Sequence, residues 1–205
     1  MSIPYKQELL RKAVHLSSIW MPVSLYYIPK QFNVIMFGVF ALLNILIEIA
    51  VYYKVSYISA LYNKLFAKMS RARSDGKFHF SGAPPMYASA CLTALCFTPR
   101  IAACGFTILI LSDTAAALIG RKWGRHRLPN GKSLEGSLSF FFTGCLIVCA
   151  FSFVGHLPSI VFFIWLCGVC LACIMELFNE QIHIDDNFSI PLSFGLIAEI
   201  GNNFV

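Results

Sequence analysis

The sequence predicts an all-α fold: a polytopic helical membrane protein with about seven transmembrane helices plus one interfacial amphipathic helix. Three observations carry that prediction. Of 205 residues, 58% are hydrophobic and 13% charged, with a mean hydropathy of +0.69, whereas soluble domains carry roughly 25% charged residues. The apolar residues gather into runs long enough to cross a bilayer, separated by short polar segments. The basic residues collect in alternate segments between those runs, which is how topology is encoded in membrane proteins. The formal net charge of +6 therefore sets orientation, and no nucleic-acid partner is expected.

Taken in order, residues 8–16 (ELLRKAVHL) place Glu8, Arg11, Lys12 and His15 at helical i, i+3, i+4 and i+7 spacing, on one face. That face reads either as a charge cluster fixing the orientation of a helix start or as the polar wall of a site, with Arg11 or Lys12 toward phosphate. No cleavable signal peptide is expected, because residues 1–12 are polar and no small-residue cleavage site follows. The first span is expected over about Ala13 to Ile28, stopped by Pro29 and Lys30. The second, about Phe32 to Tyr53, carries Asn44 and Glu48 one turn apart. An ionisable residue at that depth is costly and points to function or to a structural partner such as Asn44 or a neighbouring helix.

Between Val55 and Met69 the apolar positions 58, 61, 62, 65, 66 and 69 follow a helical stripe with lysines opposite, which predicts an amphipathic helix lying in the interface. Arg71 to His79 is expected as a polar loop. Ser81-Gly82-Ala83-Pro84-Pro85 then opens the third span, to about Thr98, since proline is tolerated in a first helical turn. The fourth span is expected over about Ile101 to Gly120, the fifth over about Leu134 to Val154, the sixth over about Ser159 to Phe178, and a short seventh over about Phe188 to Ile200. The whole chain, 1–205, reads as one integral-membrane domain. All eight cysteines lie in apolar runs and imply small core residues, not disulfides or a metal cluster.

With seven spans, fourteen of the sixteen Lys and Arg residues fall on one side. The positive-inside rule makes that side, and the amino terminus, cytosolic. The opening cluster, the basic loop 121–132 and the acidic loop 179–187 (NEQIHIDDN) then share the cytosolic face.

The chemistry concentrates in residues 112–137, SDTAAALIGRKWGRHRLPNGKSLEGS. Asp113 stands seven residues before Gly120, about 10 Å along a helix, so it is buried near the cytosolic end of its span. Ala116 or Ala117, Gly120 and Gly124 share its face and allow close approach of a helix or a ligand. Arg121, Lys122, Arg125, His126, Arg127 and Lys132 follow, as a topogenic loop or as phosphate-binding charge. Ser133 suits the N-cap of the fifth span, whose amides attract phosphate. Lys132 adds a point charge, and Glu135 can hold a divalent cation. A soluble-type phosphate loop is excluded: it needs glycine five residues before Gly131, where His126 stands. Glu176 and Asp186-Asn187 lie near the membrane and can complete a metal or substrate-hydroxyl site. Glu180 and Asp185 read as solvated.

ELLRKAVHL (8–16), SDTAAALIGRKWG (112–124), GKSLEGS (131–137) and the arrangement of Glu176 with Asp186 to Pro191 together resemble the dolichol kinase, phytol kinase and CTP-dependent diacylglycerol kinase family, with Ser81-Gly82-Ala83 a weaker match. The resemblance implies transfer of the γ-phosphate of CTP to the hydroxyl of a membrane lipid alcohol, with Mg²⁺ or another divalent cation. It implies that Asp113, Gly120, Gly124, Lys132, Ser133, Glu135 and Gly136 form the CTP-phosphate and metal site, with Arg11, Lys12, His15, Asp186 and Asn187 lining the same cavity. Asp113 and Glu135 are the expected metal ligands and Lys132 with Arg121 the phosphate ligands. Asp186 or Asp113 is the expected base. The alternatives are a CTP:phosphatidate cytidylyltransferase-like enzyme and a non-enzymatic lipid transporter or scaffold. The first would carry a dense run of lysines, glycines and paired aspartates near its carboxyl end, which this sequence lacks, and the second would show internal repeats, which it also lacks.

Overall fold

The computed structural model describes residues 5–66 and 81–202. The described residues are helical throughout, apart from short turns and one isolated β-bridge. In order, the helices are α1 (Tyr5–Ser17), α2 (Trp20–Tyr27), α3 (Lys30–Tyr52), α4 (Ser56–Phe66), α5 (Ala83–Cys96), α6 (Pro99–Thr107), α7 (Asp113–Trp123), α8 (Leu134–Gly155), α9 (Ser159–Ile182) and α10 (Asp186–Asn202). A π-helical turn, Ile108–Ser112, joins α6 to α7 without a break.

Among the described residues, four helices are long and apolar enough to cross a membrane: Lys30–Tyr52, Pro99–Trp123, Leu134–Gly155 and Ser159–Ile182. They coincide with the second, fourth, fifth and sixth expected spans. The first expected span is divided instead. α1 ends at Ser17, whose hydroxyl bonds back to the Val14 carbonyl at 2.6 Å, and the chain turns through Ser18 and Ile19 before α2 begins. Serine hydroxyls compete with the backbone ladder in this way, and a pair of them is a natural break. The third and seventh expected spans are helices of 14 and 17 residues, below the roughly 20 that a perpendicular crossing needs. The stretch expected as an amphipathic interfacial helix is helical as α4. Its last expected turn and the expected loop 71–79 lie outside the described residues.

The Pro99–Trp123 helix is the axis of the bundle. Ile101, Cys104, Phe106, Ile108, Leu109 and Ile110 are wholly buried on it. α8, α10 and α2 pack against this axis, α9 lies along α10, and α3 lies along α5. By contrast α3 and α8 leave most of their apolar side chains exposed, including Leu42, Leu46, Phe142 and Leu146. Apolar exposure on that scale fits a lipid solvent.

Glu48 on α3 is buried and takes both the amide and the hydroxyl of Ser81, the amide at 3.0 Å. It therefore caps the entrance to α5. Asn44 bonds its own helix at Phe40, so of the two readings open for Glu48 the structural one holds, with α5 as partner and not Asn44.

Candidate active site

The polar face predicted for the first helix docks on α7. Glu8, 2% exposed, accepts from Arg11 at 2.8 Å and approaches Arg121 at 3.4 Å. One turn later Lys12, also buried, donates to Asp113 at 2.5 Å. His15 completes the face, its Nε2 3.5 Å from the same carboxylate oxygen and 3.4 Å from the Leu109 carbonyl. The opposite side of α1 exposes Leu9, Leu10, Val14 and Leu16. One helix thus turns its charged stripe inward, where each charge meets a partner, and its apolar stripe outward.

A second ion pair stands beside the first. Lys132 reaches from the basic loop to Glu176 near the end of α9, with Nζ 2.6 Å from Oε1, and also donates to the Glu176 main-chain carbonyl. Asn130 steadies that reach. Its amide donates to the Leu177 carbonyl at 2.7 Å while its oxygen accepts from the Lys132 amide at 3.1 Å. The other Glu176 oxygen, Oε2, is buried with no hydrogen-bond partner. At the start of α10, Asp186 accepts from Asn179 at 3.1 Å. Its carboxyl is pushed up to about 7, first by desolvation and then by the negative charges of Asp113 and Asp185, against the pull of Lys12 and Lys132. Three carboxylates and two lysines from α1, α7, the 124–133 loop, α9 and α10 therefore share one electrostatic neighbourhood.

The glycines have a different part. A Cβ on Gly120 would lie 2.7 Å from the Ser133 hydroxyl and 3.3 Å from the Gly136 Cα; one on Gly136 would lie 3.0 Å from the Ala116 carbonyl oxygen. Gly124 is equally closed in by Ser133. These residues let α7 and α8 cross almost backbone to backbone, so the small face serves helix approach. Ser133 caps α8 by accepting the Gly136 amide at 3.1 Å, and the Leu134 amide is taken by the His126 carbonyl. Those amides, expected to face phosphate, are thus spent within the protein. The loop itself folds back through the Arg127–Ser133 bridge, with Gly131 at φ +81.

Glu135 was expected to share a metal with Asp113. It lies on the loop side instead, where its carboxylate accepts from the His126 amide at 3.1 Å and approaches Nδ1 of the His126 ring at 2.8 Å. Asn187 packs against Gly82 at the start of α5 and bonds Asp185. Neither contact brings these two residues to Asp113. Glu176, noted in the sequence only as an acid near the membrane, is the residue that the structure places in the cluster. Asn179 and Asn130 gave no sequence signal. Among the described residues, no three His, Cys, Asp or Glu side chains stand together as a ready-made metal cage.

No family model matches the chain, and no solved structure matches it. An uncharacterized protein of Rickettsia prowazekii is 32% identical over 200 residues, which cover 94% of this chain and 94% of that protein. A phytol kinase of Synechocystis is 32% identical over 108 residues, 51% of this chain and 46% of the kinase. CTP-dependent diacylglycerol kinase 1 of Schizosaccharomyces pombe is 28% identical over 148 residues, 65% of each chain. The chain thus matches about half of the phytol kinase's length. By near full-length similarity the chain belongs to one family with the Rickettsia prowazekii protein, with a phytol kinase and a CTP-dependent diacylglycerol kinase as distant homologues.

Proposed function

We propose that this protein is a CTP-dependent lipid kinase that transfers the γ-phosphate of CTP to the hydroxyl of a membrane lipid alcohol. The observation that carries the reading is the gathering of Lys12, Asp113, Lys132, Glu176 and Asp186 from separate parts of the chain at one end of the bundle. The two named kinases among its distant homologues support it. Phosphoryl transfer asks little covalent work of a protein. It needs charge neutralisation, alignment and an acceptor for the hydroxyl proton.

In this reading Lys12 and Lys132 leave their carboxylates to meet the phosphates of CTP, joined by Arg11 and Arg121 at the mouth. Asp113 and Glu176 would hold Mg²⁺. The fit rests on the unpartnered Glu176 Oε2, a hard oxygen donor buried without a hydrogen, and on the preference of Mg²⁺ for one or two carboxylates plus phosphate oxygens. Bound there, the ion would neutralise charge developing between the β- and γ-phosphates. Asp186 takes the proton as the lipid oxygen bonds to Pγ and the bond from Pγ to the β-phosphate oxygen breaks, giving lipid phosphate and CDP. It suits the task better than Asp113, because a base works best with a pKa near the working pH and Asp113 would be committed to Mg²⁺. The same reading keeps seven passes, with α1–α2, α5 and α10 crossing as shorter elements supported by their neighbours. The amino terminus and the site face the cytosol.

The deciding assay uses purified protein in detergent with γ-labelled CTP or ATP, Mg²⁺ and a panel of diacylglycerol, polyprenol and phytol-like alcohols. Label in a lipid phosphate from CTP is the expected result. Release of pyrophosphate with a cytidine-bearing lipid would show the cytidylyltransferase instead, and nucleotide binding without transfer would show a non-enzymatic carrier.

The pH dependence follows from Asp186. With its carboxyl raised to about 7, the required carboxylate forms only as pH rises through that value, so kcat/KM climbs with pH and levels above it. Asp185→Asn keeps the cap on the Asn187 amide but removes a negative neighbour. It is expected to move the acid limb about 0.5 to 1 unit toward lower pH. The linkage runs the other way for stability. The folded protein holds this proton more tightly than the unfolded chain, so stability falls as pH rises from the ordinary aspartate value to about 7. An acid limb unmoved in Asp185→Asn would remove Asp186 from the role.

A further inference from the structure

A cavity of about 490 Å³ lies between Tyr26 at the end of α2, Thr98, Pro99 and Arg100 at the start of α6, Trp165 on α9 and Asn202 at the end of α10. It is remote from the carboxylate cluster: Trp165 precedes Glu176 by eleven residues on one helix, about 16 Å of axial rise. Trp165 is wholly buried, and its indole N–H has no hydrogen-bond partner. A buried donor left unpaired costs about 1–3 kcal/mol, so its place in the wall of a cavity calls for an acceptor. The rest of the lining points the same way. Arg100 donates to the Gly155 carbonyl at 3.2 Å with one nitrogen, which leaves further guanidinium hydrogens. Lys30 lines a narrow cleft that shares Pro99 with the cavity. The nearby acid, Glu199, is occupied by the Thr98 amide at 3.3 Å, and Asn202 donates to Thr98.

Lys30 and Arg100 are also the two basic residues that fall outside the cytosolic count. Arg100 lines the cavity itself and Lys30 the adjoining cleft. We infer that this cavity binds a phosphodiester headgroup of an anionic phospholipid, its phosphate on Arg100 and the Trp165 indole N–H and its glycerol end along the Tyr26 and Trp165 rings. The site is separate from phosphoryl transfer and does not depend on that reading.

The test is native mass spectrometry of the purified full chain in detergent, titrated with phosphatidylglycerol, phosphatidylcholine or inorganic phosphate. Trp165→Phe removes the donor while keeping a ring, and Arg100→Gln keeps a polar side chain at a half-buried position; helical circular dichroism establishes that both variants fold. Phosphatidylglycerol is expected to bind the parent at least tenfold more tightly than either variant and more tightly than phosphatidylcholine. Equal binding by parent and both folded variants would overturn the site. Displacement of the lipid by millimolar inorganic phosphate would overturn the lipid assignment and make it a soluble-anion site.

Discussion

Replacing Asp113 by asparagine is expected to lower lipid phosphorylation by about two to three orders of magnitude, the scale of losing a preorganised charged group at a transferring centre. It should also destabilise the protein, because Lys12 is 5% exposed and loses the carboxylate it pairs with. Removing one partner of a buried pair costs about 3–5 kcal/mol, whereas replacing both by apolar groups of similar size is often neutral. That asymmetry separates function from structure. Lys12→Met with Asp113→Leu should recover most of the melting temperature lost in either single variant and recover no activity. Were the pair only a structural clamp, the doubly apolar protein would regain catalysis together with stability. Thermal unfolding in detergent beside the labelled-CTP assay reads both quantities on the same preparations.

The α7–α8 crossing carries the second large effect. At Gly120 and Gly136 the nearest obstacles include backbone atoms of the facing helix, which cannot rotate away as a side chain can. Gly120→Val is expected to cost about 2–3 kcal/mol through overpacking and to displace the α8 entrance, taking Lys132 from Glu176. Gly131→Ala is the comparison. No atom lies within 4 Å of its added carbon, and its φ of +81 exacts only local backbone strain, about 1 kcal/mol. A loss of stability and nucleotide affinity in Gly120→Val well beyond that in Gly131→Ala is the expected order. Equal effects would mean that the crossing is not close-packed.

Much of this site was legible because helical spacing is local. Glu8, Arg11, Lys12 and His15 needed only the 3.6-residue period to be placed on one face, and the apolar length around Asp113 sufficed to bury it. Ser133 announced its helix by residue type alone. What stayed hidden depends on where distant segments meet. Lys132 and Glu176 are 44 residues apart, and no periodicity says that one loop bends toward that helix end. Glu135 is the reverse case. Its nearness to Lys132 in sequence suggested a shared ligand, but the loop folds so that His126 takes it. Helix lengths show another limit, since hydropathy averages over a window. It cannot see that Ser17 and Ser18 divide the first apolar run, nor that α5 and α10 stop at 14 and 17 residues.

The π-helical turn at Ile108–Ser112 has a bearing on how this family can change. Each such turn holds one residue more than an α-turn would and is held open by the packing around it. Within it Ile108, Leu109 and Ile110 are locked in the core; immediately after it Asp113 begins the half that carries the ion-pair cluster. The turn acts as a phase joint between two registers, so that insertions and deletions on one side need not be matched on the other. Losing a single residue within it would restore plain α-helix and leave Asp113 facing Lys12 and His15, whereas losing one from α7 itself would swing the residues beyond it by about 100°. Relatives can therefore differ by one residue in the spacing from the buried isoleucines to the aspartate and still present it on the same face.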